Sequence, residues 1–505
     1  MREIDKTLIL MTSKIVQAAN IFVLSIFFAR ILSKADYGTY IQFNMIVSLS
    51  IMTLSIGIPA SLFYFLPKNI KQKAIIYRSL LILLVIGSLC LLLIHLFRNE
   101  LAASLNNEEL SNYSIFLGMC IIFMMCSQLI RPILMVAKES LVLAGVNAGK
   151  GVLFFISMVL CLFIRPEVSL LIRSLFTIYL VEFLVSIWVL YKYSNRFSEG
   201  VDALKIKLGR QMKFALPLFA SGILWLLGRE IDKYIISYYL TPGELAVYAR
   251  GAVEIPLIHI FAGTIAQVYL PDWVKLFDEK KYDLLIEGWH TTVSKTALIM
   301  FPIFCVFQVI SYEFIVMLYS PEYSGSVLIF TVYLFLVPLQ LTEYTAIIES
   351  SGRPIWISIG YAVQIVFNVI FSVLLLKKIG SVGPAMMTVI SMYLWTGYML
   401  FIISRTFGRP FLSIFPWKKL FKIMCLSIGS GAIVYMLKKV LEGTGVFNFL
   451  SPMEIMYMLE IGVVFVLFGI IYVGLLYMTN SLDADDKETI YRWLMIAKIK
   501  KVMGL

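Results

Sequence analysis

Residues 227–237 read LGREIDKYIIS, inside a run that begins FALPLFASGILWLL and ends YYL. Arg229, Glu230, Asp232 and Lys233 interrupt a segment otherwise apolar enough to cross a bilayer. A charge at membrane depth costs at least a few kcal/mol and faces a partner or a wet cavity. What these four side chains meet decides both the architecture and the function.

Composition supplies the surrounding solvent. Of 505 residues, 60% are hydrophobic and 15% charged, with a mean hydropathy of +0.88. Soluble domains sit nearer half apolar and a quarter charged, so lipid has to cover most of this chain. Apolar runs of about 20 residues, enough for a hydrocarbon core of roughly 30 Å, recur from end to end. We read about fourteen of them, from 8–31 to 455–477. The expected fold is therefore all-α and polytopic, in a membrane. The N-terminus MREIDKTLILMTSKIVQAANIFVLSIFFARIL reads as a retained first helix, because no small-residue cleavage site follows a short apolar core.

The formal charge of +12 does not imply nucleic acid, because most of it sits in short loops between spans. Lys68, Lys71, Lys73, Arg78, Arg131, Lys138 and Lys150 fall on one set of loops, as do the basic residues of 192–213 and 275–295. Alternate loops such as SYEFIVMLYSPEYSGS carry none. Both termini are then cytoplasmic. Lys377 with Lys378 and Lys438 with Lys439 break the rule, on the outer side. The six cysteines all fall in apolar runs without metal spacing, and the three histidines form no cluster. No metal or cofactor is expected.

A repeat organises the chain. LSKADYGTY at 32–40 and LTPGELAVY at 240–248 share Leu, hydroxyl, carboxylate, small residue and Tyr at equal spacing. FLP at 65–67 and YLP at 269–271 follow them. Six spans separate the copies, an even number, so the halves are parallel repeats of the kind some transporters place around a substrate path. The expected division is a six-helix lobe at 1–191, a cytoplasmic linker at 192–212 and a second six-helix lobe at 213–404. Two further helices follow at 405–480, then a basic tail at 481–505. The connectors 192–212 and 271–291 read as solvated segments or short interfacial helices.

With these motifs in order, the chain resembles the multidrug/oligosaccharidyl-lipid/polysaccharide exporter superfamily, and most of all its polysaccharide-biosynthesis branch of O-antigen and capsule repeat-unit flippases. ARILSKADYGTY at 29–40, GIPASLFYFLP at 57–67, REIDKYIISYYLTPGELAVYARG at 229–251 and SSGRP at 350–354 carry the likeness. The resemblance implies two lobes around a cationic cavity. It also implies that an undecaprenyl-pyrophosphate-linked oligosaccharide passes from the inner to the outer leaflet by alternating access.

The intramembrane charges are the candidate site. Residues three or four apart share a helical face, so Arg229, Asp232 and Lys233 lie together, with Glu230 turned about 100° away. Glu230 then needs another partner, and span eight offers Arg250, four residues before Glu254. These groups form either a self-neutralised network locking two helices or the wall of a polar cavity, and the two can coexist. Lys14 and Gln17 share a face of span one, on the expected path of a diphosphate. Arg30, Arg78 and Arg131 sit near span ends, where snorkelling competes with binding. Arginine's fork suits a pyrophosphate. Glu182 and Glu343 read as solitary carboxylates in apolar runs, either neutral acids between helices or carriers for a coupling proton or sodium ion.

Two other classes fit poorly. A membrane glycosyltransferase or polymerase needs a large extramembrane catalytic loop, and no connector is long enough. A channel needs rings of filter residues, which are missing. A cation-coupled multidrug exporter of the same fold is the nearest alternative, although it would favour buried carboxylates over scattered cations.

Overall fold

The exposed faces of these helices are more apolar than the buried ones. In the helix Lys73–Leu96, Leu81, Val85, Leu89 and Leu92 point outward while Ser79, Leu83 and Gly87 are buried. In Ile355–Ile379 the buried face carries Gln364, Asn368 and Ser372, and Val363, Val366, Ile370 and Leu374 are exposed. Such a surface is stable only against lipid, because backbone and side-chain polar groups have to be satisfied inside the bundle.

The computed structural model describes residues 3–67, 73–194, 208–253, 269, 272–353, 355–444 and 453–481, the backbone alone at 3–15, 217, 218 and 221. All regular elements among them are helical. Ten are long and apolar enough to cross a membrane, or eleven if one bent pair is a single span. The fold is thus an all-α, polytopic membrane protein.

The chain divides into two units. The first, Met1–Ala252 with Ser358–Ser391, contains α1 (Glu3–Ile31), α2 (Lys34–Leu54), α3 (Ile58–Phe65) and α4 (Lys73–Leu96). It continues through α5 (Arg98–Ser104), α6 (Ser114–Ser127), α7 (Ile130–Val136) and α8 (Ser140–Ile164). α9 (Val168–Ser194), α10 (Leu208–Tyr239) and α11 (Pro242–Gly251) complete the chain to Ala252. α2 and α3 are bent by 45° at Ile56 and Gly57, both at positive φ. A Cβ on Gly57 would stand 2.5 Å from the Ala215 carbonyl oxygen, so glycine serves both the left-handed conformation and the approach of α10. Pro59 follows within the first turn of α3, where its missing N–H costs nothing.

The second unit, Val253–Ile357 with Met392–Leu505, contains α12 (Tyr282–Val309), α13 (Ser311–Tyr319), α14 (Ser326–Tyr333) and α15 (Tyr344–Ser350). Farther along come α16 (Ile355–Ile379) and α17 (Val382–Phe407), parts of which belong to the first unit, then α18 (Trp417–Gly443) and α19 (Met453–Met478). Between α14 and α15 the chain tightens to a 3-10 turn over Leu334–Leu339, around Pro338, as proline's lost hydrogen bond demands. The connector expected at 271–291 ends early, because α12 already begins at Tyr282. Just before it, the Lys281 ammonium lies 2.7 Å from Glu279 and holds that carboxyl below the usual range.

Candidate functional site

The two repeat copies are helix starts, and they pack together. Ser33 caps α2, its hydroxyl accepting from the Asp36 N–H and meeting the Asp36 carboxylate at 2.6 Å. Thr241 caps α11 in the same way, in a reciprocal capping box with Glu244. The shared hydroxyl-to-carboxylate spacing is therefore a capping signature that satisfies orphan N–H groups at both starts. A Cβ on Gly38 would stand 1.8 Å from the Pro242 carbonyl oxygen, so only glycine lets α2 and α11 approach this closely.

Around this junction α10 delivers its charges. Tyr248, fully buried on α11, donates its hydroxyl proton to Asp232 Oδ2 at 2.5 Å, and Asp232 is itself fully buried. Arg250, two residues farther on, stacks its guanidinium 5.1 Å from the Tyr37 ring of α2. Arg229 stacks 5.3 Å from Trp225, one turn earlier on its own helix. Lys233 reaches Glu230 at 2.5 Å. That pairing corrects the expectation that Glu230 must look to span eight, since positions 230 and 233 are three apart and share a face. Glu254 lies outside the described residues.

A buried polar network ties the ends of these helices. Gln42 donates to Ser237 on α10 at 3.1 Å and to the Leu105 carbonyl at 2.8 Å. Asn107 donates to Thr39 and to Gln42 at 2.8 and 2.6 Å. On α16, Gln364 donates to the Gly228 carbonyl at 3.1 Å, beside Arg229, and to Ser391 of α17. Asn368 donates to Ser391 and Thr388. At the start of α10, buried Gln211 joins Ser61, Ser79 and the Arg78 guanidinium. Arg78 is thus engaged inside the bundle instead of snorkelling.

The other candidates are scattered. Lys14 lies in α1, its side chain outside the described set, and Gln17 is half-buried one turn on. Arg30 is exposed in the last turn of α1. Glu182 is not solitary: Lys150 of α8 reaches it at 2.7 Å, with the Tyr179 ring 5.9 Å from the ammonium. Lys150 belongs to the interior of α8, not to a loop. Both residues stand 16 positions from Pro166 in the turn between α8 and α9, a symmetry that places them opposite each other in a helical hairpin. Glu343 is not within a helix but immediately precedes α15, where it accepts from the Thr345 hydroxyl at 2.9 Å.

The lysine pairs expected on the outer side also find causes. Lys377 and Lys378 are exposed in the last turn of α16, where cations suit the helix dipole. Lys438 is buried against Glu313 and Glu460, and a lysine held by carboxylates is no orienting loop charge.

Comparison with known proteins agrees with this architecture. The family model described as "Polysaccharide biosynthesis protein" matches residues 27–328, about three-fifths of the chain. No curated protein sequence matches. Among solved structures, the inward closed conformation of the lipid II flippase MurJ superposes with a TM-score of 0.70 at 15% identity, covering 94% of this chain and 99% of that one. An inward-facing multidrug resistance MATE family transporter of the MOP superfamily gives 0.62 at 13% identity, covering 77% and 95%. The Vibrio cholerae MATE transporter VcmN in its bent form gives 0.52 at 14%, covering 80% and 97%. The chain belongs to the polysaccharide biosynthesis protein family, on the transporter fold of the multidrug/oligosaccharidyl-lipid/polysaccharide exporter superfamily.

Proposed function

We propose that the protein is a flippase that moves an undecaprenyl-pyrophosphate-linked oligosaccharide repeat unit from the inner to the outer leaflet of the bacterial cytoplasmic membrane, for surface polysaccharide biosynthesis. The observation that carries this reading is the family match together with an end-to-end likeness to a lipid II flippase. Helices dense in intramembrane cations add chemical support, since a pyrophosphate headgroup needs positive partners in a medium that cannot solvate it.

In this reading fourteen spans form two six-helix lobes, 1–191 and 213–404, joined by a cytoplasmic linker at 192–212. Two additional helices occupy 405–480, and a basic tail follows at 481–505. Both termini are cytoplasmic, and transport proceeds by alternating access without covalent chemistry. Lys14, Gln17, Arg30, Arg229, Lys233 and Arg250 serve the anionic headgroup, while Asp232 and Glu254 balance them. Coupling to a proton or sodium ion falls to Glu182, whose Lys150 partner it would exchange, and to Glu343. The likeness to the multidrug transporters favours the second reading, a cation-coupled drug exporter.

The test is reconstitution into vesicles with a fluorescent undecaprenyl-pyrophosphate glycan and a lectin outside. Glycan exposure should depend on the protein and fall at least tenfold in Lys14→Ala and Arg229→Ala. Unchanged exposure in folded variants sinks the cationic path, and extrusion of organic cations without glycan exposure favours the drug exporter.

A further inference from the structure

Four elements of the second unit converge on one buried lysine. Lys438 of α18 reaches Glu313 of α13 at 2.7 Å and Glu460 of α19 at 3.4 Å, all three side chains less than a tenth exposed. Its ammonium also donates to the Val309 carbonyl that ends α12, at 3.2 Å. Glu442, one turn on, is 3.7 Å from Lys438 but sits at the surface and pairs at 2.8 Å with Lys439. The Tyr435 ring lies 5.8 Å from Lys439, and Tyr312 and Tyr457 meet edge to face beside Glu313 and Glu460.

Charge counting leaves an excess. The outer pair Lys439–Glu442 neutralises itself, so one buried ammonium faces two buried carboxylates. Glu460 is seven residues inside α19, about 10 Å from its end, where an uncompensated charge is costly. The ammonium is the cation both carboxylates share, at 2.7 Å from Glu313 Oε2 and 3.4 Å from Glu460 Oε1. Oxygens of Glu313, Glu442 and Glu460 lie within 4.8 Å of one another. A divalent ion does not fit there, because the ammonium already occupies the centre. A proton does, because it removes the excess charge without displacing the ammonium.

We infer that Glu313 and Glu460 together hold one exchangeable proton against Lys438, forming a proton-binding site that clasps α13, α18 and α19. This site is independent of the substrate reading. Two carboxyl groups sharing one proton titrate as a unit, so release of that proton leaves one negative charge between helices that must then loosen or admit water.

The test uses the full chain in nanodiscs, with infrared difference spectra of the carboxylic C=O stretch at neutral pH and thermal midpoints recorded together. Wild type should show a band from one water-shielded protonated carboxyl. Glu313→Gln and Glu460→Gln should each abolish that band without lowering the midpoint, since each removes the surplus charge while keeping the shape. Lys438→Met should about double the band, and Glu442→Gln should leave it unchanged. The inference fails if the wild-type band survives both glutamine variants, or if either glutamine variant unfolds.

Discussion

Replacing Gly38 by alanine tests the junction of α2 and α11 most directly. The added Cβ would lie 1.8, 2.2 and 2.7 Å from the O, C and Cα atoms of Pro242. These are backbone atoms at a capped helix start, so no side chain can swing away. Ordinary contact begins near 3.4 Å, so α11 has to retreat by about 1.6 Å. That movement separates Arg250 from Tyr37 and strains the Tyr248 hydroxyl against Asp232. Overpacking of this kind costs about 1–3 kcal/mol, of which alanine's better helix propensity returns about 0.5–1 kcal/mol. The net penalty on the packed arrangement is about 0.5–2 kcal/mol, equivalent to roughly a 2–30-fold fall in its population against any state in which the helices part. Ser237, buried and bonded to Gln42 one turn from Gly38, reports the change. In a background without the native cysteines, Ser237→Cys should react with maleimide roughly 2–30-fold faster when Gly38→Ala is added. Gly469→Ala, whose Cβ would meet nothing within 4 Å, should leave the rate alone. An unaltered rate in Gly38→Ala, with thermal unfolding normal, would refute the claim that this contact holds the helices together.

Two further outcomes follow from the same geometry. Lys150→Met leaves the Glu182 carboxylate without its cation and should lower stability by about 3 kcal/mol, near the bottom of the range for a broken buried pair; adding Glu182→Gln should restore most of it, and equal thermal midpoints for the single and double variants would show the pair to be inert. Thr241→Ala removes the α11 cap and should cost about 1 kcal/mol, with Ser33→Ala similar because the two copies cap alike; a midpoint unchanged in both would mean the repeated motif has no capping role.

Some of the site was readable residue by residue. The helical spacing of 229, 232 and 233 shows a charge cluster on α10, and the repeat at 32–40 and 240–248 marks corresponding places in two halves, but neither shows that the two copies pack together. What the repeat does physically was missed, although Ser33 to Asp36 and Thr241 to Glu244 carry the capping spacing openly. Lys150 reads as a loop charge because the run that ends in it, AGVNAGK, is weakly apolar. Its distance from Pro166, equal to that of Glu182, was the available signal for a hairpin pair. Gln42, Asn107, Gln211 and Gln364 leave little trace in the sequence, because uncharged amides disturb hydropathy too little to stand out.

Sequence alone determined that lipid is the solvent, that the fold is all-α, and that charges had to be buried. These follow from local quantities: transfer free energy summed over about 20 residues, helical period, and the cost of a charge in oil. Partner choice came only with tertiary structure. Lys438 looked like a violation of loop charge until α13 and α19 placed Glu313 and Glu460 beside it, and Asp232 found Tyr248 through the packing of α10 on α11. A charge carries its sign in the sequence, but its energy depends on what lies within a few ångströms, and distance is set by which helices touch.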